Sequence, residues 1–465
     1  MANKAIDRRD FLKMMGISTA AVGLNISVPK VVGRNEKGLI LESEEEYGGF
    51  QVQKLSGDKP PYEYDPEVLK RMNEKFTMFS RNVWDPERAN RPELTENLTK
   101  ERLVDGQGKV PNQTRLDYAF MGASWALADM GGVGPQYNWN VQTGMIRGMG
   151  LPDLGPWNPA DLDMTWEDTS LAIKHASKFY GASLAGIAEL NPLWLYSDIY
   201  APSEDDNERT IPVVSEGERF EKTEDVYYIP SSMNRVIVLA FEEDYDAIEN
   251  SPGRLASAAV GNGYSRMAIT AFFLSEFIRA LGYRAIPAGN HIGLSVPMAI
   301  DAGLGQAGRH GLLMTPKYGP RVRLAKVITD MPLATDSPID FGVTEFCEVC
   351  KLCATECPSG STSAGPRTWA GESASNNDGA YKWYVKLEGC YDFNGFSCSN
   401  CKRVCPFNKP NNSLLHKATR EVINGKVGAL SSIMVQMDQA SGYGKQKQSD
   451  EFWKLSGDDC ITTRE

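Results

Sequence analysis

Apolar residues are grouped most regularly in the second half of the chain, where they predict strands and a helix. The run at 235–241 (RVIVLAF) is continuous and rich in β-branched residues, which predicts a buried strand. Similar runs predict strands over 283–287 and 321–329. Between the first two runs, apolar residues at alternating steps of four and three predict a helix over 265–281. We therefore expect an α/β section over residues 225–335.

Two residues define the expected ends of that helix. Ser265 can cap the N–H groups of a first turn, and Gly282 can end a helix after its last turn. Tyr264 would then lie just before the helix.

The residues before 225 predict less regular structure. Residues 34–66 are polar and acidic, which indicates an extended arm. Residues 67–200 contain many Gly, Pro and Trp residues, which favours loops and short helices. Residues 203–225 carry a mostly acidic run that is typical of a solvated loop.

The N-terminus has the pattern of an export signal. Arg8 and Arg9 are followed by DFLK and by a mildly apolar stretch over 14–28. This stretch is shorter than the roughly 20 residues that span a bilayer, but it suits a signal peptide. The paired arginines are typical of proteins that the twin-arginine translocase exports in the folded state. We predict that residues 1–33 form this signal and that no other segment spans a membrane.

Composition narrows the class of partner. The chain has 465 residues, of which 42% are hydrophobic and 23% charged, as in ordinary globular proteins. The formal net charge of −11 and the lack of a basic stripe after the N-terminus argue against a nucleic-acid partner.

The cysteines give the strongest chemical signal. Eight of the nine lie between Cys347 and Cys405, whereas disulfides are usually spread along an exported chain. In two-cluster bacterial ferredoxins, the fourth Cys of each motif binds the other cluster. The two motifs are Cys347-x-x-Cys350-x-x-Cys353-x-x-x-Cys357-Pro358 and Cys390-x7-Cys398-x-x-Cys401-x-x-x-Cys405-Pro406. We therefore predict one [4Fe–4S] cluster on Cys347, Cys350, Cys353 and Cys405, and a second on Cys390, Cys398, Cys401 and Cys357.

Zinc is the alternative occupant of such a region. Zinc modules usually present separated pairs of cysteines, often with histidine, whereas here three cysteines come in tandem and no histidine lies inside the motifs. Two adjacent clusters carry single electrons, so another part of the chain must use them.

A glycine-rich segment raises the possibility of a nucleotide site. Gly303, Gly305 and Gly308 match the dinucleotide-binding pattern, but no helical pattern follows them. We interpret this segment as a loop that packs near some other ligand.

The order of these features resembles the reductive dehalogenase family, respiratory enzymes that remove halide from organohalides. The resemblance runs from the twin-arginine signal to about residue 410. It includes three short segments in matching order, namely Gly263-Tyr264-Ser265, Ile286-Pro287-Ala288-Gly289-Asn290 and Arg321-Val322-Arg323.

The resemblance implies an α+β protein with two kinds of cofactor. A nitroreductase-like α/β core would bind a corrinoid in the base-off state, and a C-terminal bacterial ferredoxin-like domain would hold two [4Fe–4S] clusters. The expected regions are the signal over 1–33, an N-terminal region that builds the substrate pocket over 34–224, the corrinoid-binding core over 225–335, the ferredoxin-like domain over 336–415, and a C-terminal extension over 416–465.

The resemblance also implies roles for individual residues. Tyr264 would donate a proton to the substrate carbon, and Arg323 beside it would ease formation of the phenolate. Asn290 would hydrogen-bond near the substrate or the departing halide. Backbone that can approach a large flat ligand closely is expected to contact the corrinoid. These expected contacts are Leu294, Ser295, Gly303, Gly305 and Gly308.

The resulting hypothesis is a terminal reductase of organohalide respiration at the outer face of the cytoplasmic membrane. It would act on a small organohalide, dock to a small integral membrane anchor protein, and receive electrons from a respiratory chain. An epoxyqueuosine-reductase-like corrinoid enzyme is one alternative, which the export signal and the acidic charge argue against. An exported ferredoxin-type electron carrier is another, which the long stretch of chain before Cys347 argues against.

Overall fold

The structure is a computed structural model that describes part of the chain. The described residues are 50, 52–55, 60–89, 115–129, 163–394, 398–408, 435 and 442–454. The predicted signal over 1–33 lies outside them.

Most strands are short, and the longest lie in one central sheet. The described strands are β1 Gln53–Lys54, β2 Leu184–Glu189, β3 Asp198–Tyr200, β4 Thr210–Val214, β5 Glu221–Lys222, β6 Tyr227–Tyr228, β7 Arg235–Glu242, β8 Ala285–Ala288, β9 Gln306–Ala307, β10 Leu313–Met314, β11 Val322–Thr329 and β12 Ile339–Asp340. The described helices are α1 Met78–Trp84, α2 Pro86–Ala89, α3 Arg115–Asp129, α4 Trp166–Phe179, α5 Tyr245–Glu249, α6 Arg254–Ala280, α7 Ser295–Asp301, α8 Val343–Cys350, α9 Leu352–Thr355, α10 Leu387–Asn394, α11 Asn400–Arg403 and α12 Ser449–Trp453.

The central sheet has the strand order β2-β7-β11-β8, and all neighbouring strands are antiparallel. Strand β11 pairs with β7 along its whole length and with β8 over residues 326–329. The predicted strands at 235–241, 283–287 and 321–329 are therefore confirmed, with small shifts of their ends.

Alternating side chains of the central strands enter two separate cores. On β7, Val236, Val238 and Ala240 face one core, and Ile237, Leu239 and Phe241 face the other. Helix α6 covers the second of these faces, and α7 covers the first. Because both faces are buried, the sequence of this strand is continuously apolar instead of alternating.

The edge strand β2 comes from a part of the chain where we expected loops and short helices. Its sequence is LAGIAE, and the backbone that follows α7 packs directly on the glycine of this strand. A Cβ atom on Gly186 would lie 2.2 Å from the carbonyl oxygen of Ala302. The sheet thus begins before residue 225, where we had expected the core to start.

Helix α6 begins at Arg254, so the prediction that it begins at Ser265 is wrong. Ser265 lies inside the helix, and its hydroxyl donates to the carbonyl of Ser124 at 2.8 Å. The misleading signal is the run of small residues before it, which lets α3 approach closely. The predicted end is confirmed, since Gly282 follows the helix with a φ of 90°.

A second sheet of order β3-β4-β6-β5 includes part of the acidic run over 203–225. That run therefore contains strands as well as exposed loops, because Ile211 and Val213 of β4 are buried. The described part of Tyr47–Glu465 forms one compact unit. Among the helices described here, none has the length and hydropathy needed to cross a bilayer.

Asp301, the last residue of α7, joins two distant segments through its carboxylate. Trp194 Nε1 donates to Asp301 Oδ2 at 2.9 Å, and the Tyr62 hydroxyl donates to the same oxygen at 3.2 Å. Burial raises the pKa of Asp301 to about 6, and the two hydrogen bonds offset only part of that rise. The folded protein therefore holds a proton on this carboxyl more readily than the unfolded chain does.

Replacing Asp301 by Asn should make stability less sensitive to pH. Between the ordinary carboxyl pKa of 3.8 and the folded value of about 6, the folded state binds more protons, so the contribution of Asp301 is lost as pH rises through 6. Asn still accepts hydrogen bonds and does not titrate. From about pH 4 to about pH 8, the unfolding free energy of Asp301→Asn should gain about 1–3 kcal/mol relative to wild type.

Urea denaturation of both proteins at a series of pH values measures this difference. Asp206→Asn, in the exposed loop before β4, is the control and should follow the wild type. Parallel stability curves for wild type and Asp301→Asn would show that Asp301 does not carry the effect.

Candidate active site

Three side chains from separate elements meet at the phenolic oxygen of Tyr264. Tyr264 lies on α6, Arg323 on β11, and Asn290 on the loop after β8. Arg323 Nη2 and Asn290 Nδ2 both donate to the Tyr264 hydroxyl oxygen, the latter at 2.9 Å. The guanidinium carbon of Arg323 also lies 4.1 Å from the centre of the Tyr264 ring. The structure therefore brings together the three residues that the sequence grouped, while their roles stay a prediction.

This geometry leaves the hydroxyl proton of Tyr264 free to be donated. A phenolic oxygen can accept two hydrogen bonds and donate one. Because Asn290 and Arg323 occupy both accepting positions, the O–H bond must point away from them. The same two donors would stabilise negative charge on the oxygen after the proton has left.

Two glycines of α6 make room for the residues beside Tyr264. A Cβ atom on Gly263 would lie 2.6 Å from Arg323 Cγ, so only glycine lets this side chain cross the helix here. A Cβ atom on Gly261 would lie 2.4 Å from the ring of Trp125 on α3. The Trp125 ring in turn lies 5.2 Å from that of Tyr264, at 30° to it. Sequence analysis missed Trp125 because nothing distinguishes it from the other tryptophans.

Lys326, a buried lysine that sequence analysis also missed, supports the loop that carries Asn290. Lys326 Nζ donates to the carbonyls of Gly289 at 2.7 Å and Gly293 at 2.8 Å, and to Ser295 Oγ at 2.9 Å. These three bonds use all three N–H groups of the ammonium. Burial lowers the pKa of Lys326 to about 7, and the carboxylate of Glu74 offsets part of that fall. The one signal in the sequence is a lysine between the apolar residues Ala325 and Val327 of the strand.

The residues predicted to contact a corrinoid have structural roles of their own. Gly303 has a φ of 70°, and Cβ atoms on Gly305 and Gly308 would lie 1.9 Å from Met314 O and 2.8 Å from His310 Cε1. Ser295 accepts the bond from Lys326, and the Leu294 N–H donates to Trp194 O at 2.8 Å. Turn geometry and close packing thus account for these residues, and their contact with a corrinoid stays a prediction.

The cysteines lie on short helices and turns between α8 and the residues after α11, and their charges interact in two groups. Cys405 interacts with the three cysteines that begin the first motif, which are Cys347, Cys350 and Cys353. Cys401 interacts with the three other cysteines of the remaining set, which are Cys357, Cys390 and Cys398. Cys353 also interacts with Cys401, so the two groups are close enough to affect each other. Each group includes one thiol from the other motif, as the spacing predicts for ferredoxin-type ligands, and the binding of clusters stays a prediction.

Burial makes most of these thiols weak acids in the absence of a metal. It raises the pKa of Cys347 to about 11 and that of Cys401 to about 12. Cys357 differs: burial alone would raise its pKa, but hydrogen bonds from Ser359 and from nearby backbone N–H groups bring it down to about 7. Buried thiols of this kind are suited to metals, which take the place of the protons.

Comparisons with other proteins identify reductive dehalogenases as similar in sequence and in fold. No protein-family model matches the chain. The chain is 36% identical over 365 residues to the tetrachloroethene reductive dehalogenase of Sulfurospirillum multivorans, a match that covers 75% of this chain and 72% of that protein. It is 40% identical over 347 residues to the tetrachloroethene reductive dehalogenase of Desulfitobacterium hafniense, covering 64% of this chain and 62% of that protein.

The fold is also similar to that of a solved catabolic reductive dehalogenase, with a TM-score of 0.58 at 20% identity. The superposition covers 86% of this chain and 50% of that one, so this chain spans about half of its length. At this identity the likeness concerns the fold alone, and it confirms the predicted mixture of helices and sheet. The sequence matches over most of the chain show more: this protein belongs to the reductive dehalogenase family.

Proposed function

We propose that this protein is a reductive dehalogenase that replaces a carbon-bound halogen, in the first instance chlorine, by hydrogen. Electrons would pass through two [4Fe–4S] clusters to the cobalt of a base-off corrinoid, and Tyr264 would supply the proton. The observation that carries the proposal is the Tyr264 hydroxyl, whose oxygen accepts two hydrogen bonds while its proton stays available.

The thiols fit two four-iron clusters. A [4Fe–4S] cluster takes one thiolate on each of four irons, so its ligands stand further apart than the ligands of a single ion. Among the described residues, no three His, Cys, Asp or Glu side chains lie close enough together to hold one metal ion. Cys347, Cys350, Cys353 and Cys405 would hold one cluster, and Cys357, Cys390, Cys398 and Cys401 the other.

The surroundings of Tyr264 leave its hydroxyl open to a ligand. In the described part of the chain, Asn290 is exposed and Tyr264 is partly exposed, so the phenolic proton is accessible. We assign the central sheet and α6 to the nitroreductase-like core and place the corrinoid here. One solved relative of similar fold is a B12-dependent reductive dehalogenase. When bound, a corrinoid supplies low-potential electrons at its cobalt.

The protein's own residues would then supply one proton to the substrate and stabilise the group that remains. Replacement of halogen by hydrogen takes up two electrons and one proton and releases one halide ion. Tyr264 donates the proton to carbon, while Arg323 and Asn290 hold the phenolate that remains. Water that reaches the phenolate from the exposed side then supplies a new proton from solvent.

The proposed setting is organohalide respiration at the outer face of the cytoplasmic membrane. The export signal over 1–33, a small integral membrane anchor protein and a respiratory electron donor belong to this proposal. Chlorinated ethenes are the first substrates to test, since the relatives in Sulfurospirillum and Desulfitobacterium are named for tetrachloroethene.

Cofactor content tests the proposal directly. The full chain, assembled without oxygen in the presence of iron, sulfide and a corrinoid, should contain about eight iron and about one cobalt per chain. It should release chloride from tetrachloroethene with a reduced viologen as donor. Eight iron without cobalt would instead indicate an electron carrier, and chloride release would then be absent.

Tyr264→Phe should reduce chloride release by about 10²–10⁴-fold, because the phenyl ring has no proton to donate. Iron and cobalt content should not change. Tyr283→Phe, at the end of α6, is the matched control and should keep wild-type activity. Wild-type activity in Tyr264→Phe would rule out the tyrosine as proton donor.

Lys326→Met tests the support of Asn290. Loss of three hydrogen bonds should let the loop over 289–295 shift, which lowers kcat about 10–100-fold through misplacement of Asn290. The solvent deuterium isotope effect on chloride release should increase, because proton transfer becomes more limiting. Lys174→Met, which breaks the ion pair with Asp336, is the control. A lower kcat with an unchanged isotope effect would mean that Lys326 supports the fold and not the proton transfer.

A further inference from the structure

Arg309 is a buried cation whose hydrogen bonds go to backbone carbonyls. It follows the glycine loop over 303–308 and is 1% exposed. Its Nε and Nη2 donate to the carbonyl of Cys347 at 3.0 and 2.8 Å. Its Nη1 donates to the carbonyls of Ser363 at 2.9 Å and Gly365 at 2.8 Å. Within the described residues it forms no ion pair with a carboxylate, so its full positive charge remains.

This charge lies beside the first group of cysteines. Two of its hydrogen bonds end on the backbone carbonyl of Cys347, the first cysteine of this group, so the guanidinium lies against the backbone of a predicted cluster ligand. The guanidinium also lies 4.5 Å from the ring centre of Trp383, which adds to its separation from water. In such surroundings a charge acts more strongly on its neighbours than at the surface.

The second group of cysteines has a different electrostatic environment. Lys402, next to Cys401, is 5% exposed and forms an ion pair with Glu243, which is fully buried. Arg403 interacts with Cys398, but also with the carboxylates of Glu249 and Glu356. Both of these cations are thus accompanied by carboxylates, whereas Glu348, the carboxylate next to Cys347, is paired with Arg367 and not with Arg309.

We propose that Arg309 raises the reduction potential of the cluster held by Cys347, Cys350, Cys353 and Cys405, so that it is reduced before the other cluster. A cluster becomes more negative when it takes up an electron, and a nearby uncompensated cation favours that state. An electron that reaches the second cluster would then move to the first cluster. Arg309 links that cluster to the glycine loop over 303–308 through its hydrogen bonds to the carbonyl of Cys347. The inference rests on the proposed function for the presence of the clusters.

Redox titration followed by electron paramagnetic resonance tests the proposal on the full chain with both clusters assembled. In Arg309→Gln, one of the two cluster midpoints should fall. At a fixed potential the ratio of reduced to oxidised cluster should drop about tenfold, or about 59 mV for one electron. In Arg309→Lys, which keeps the charge but not the paired bonds, the midpoint should stay near the wild-type value.

A second variant leaves Arg309 and its contacts in place. Ser363→Asp puts a carboxylate beside the guanidinium and can keep accepting the Gly365 N–H, as the Ser363 hydroxyl does. It should lower the same midpoint as Arg309→Gln. This variant decides the question if Arg309→Gln fails to assemble its clusters.

The control is Arg279→Gln, since Arg279 is equally buried but bonds Glu276 and the carbonyl of Ala285. It should move neither midpoint. Unchanged midpoints in Ser363→Asp, or equal shifts in Arg309→Gln and Arg309→Lys, would overturn the proposal. A wild-type chain that binds no iron would instead overturn the proposed function, and iron content distinguishes the two failures.

Discussion

Strand β11 fixes both sides of the candidate active site because it is hydrogen-bonded along both edges. It pairs with β7 from Val322 to Thr329 and with β8 over its last residues. Arg323 and Lys326 point to opposite faces of this strand, one to Tyr264 and the other to the loop that carries Asn290. A slip of one residue would exchange the two faces and remove both contacts at once. The register of the sheet therefore sets the position of both donors on the phenolic oxygen.

Buried charges in this protein are satisfied in two ways that have different consequences. Arg309 bonds to backbone carbonyls, which satisfy its donors and leave its positive charge in place. Lys326 bonds two carbonyls and a hydroxyl, and burial lowers its pKa to about 7. Lys402 is paired with Glu243, so the two charges largely cancel. A charge held by carbonyls is costly to bury, yet it is the kind that acts on neighbouring groups. The cysteines of the two groups therefore lie in different fields, even though their motifs are similar.

The sequence predicted those parts of the fold whose pattern is visible within one short segment, without knowledge of distant contacts. The central strands were recognised because both of their faces are buried. The cysteine motifs were recognised because their members lie close in sequence, and their binding of clusters stays a prediction. The start of α6 was missed because Gly261 and Gly263 weaken the helical pattern. These glycines are needed because a Cβ atom at either position would clash with Trp125 or Arg323. Arg309 was missed for a similar reason, since its partners lie far along the chain. The grouping of Tyr264 with its two donors came from a resemblance, since periodicity alone gave no sign of it.

In the proposed reaction, the two donors on Tyr264 would favour the state that follows proton transfer more than the state that precedes it. A neutral phenol accepts hydrogen bonds weakly, whereas a phenolate accepts them strongly, and the attraction of Arg323 grows as the oxygen becomes negative. Interactions that strengthen during a reaction lower its barrier, while equal binding of both states would not. Gly263 would contribute to the proposed chemistry without touching the reacting atoms, because it allows Arg323 to reach the hydroxyl from the strand. The donors are then already in place when charge develops, and no reorganisation is needed at that moment.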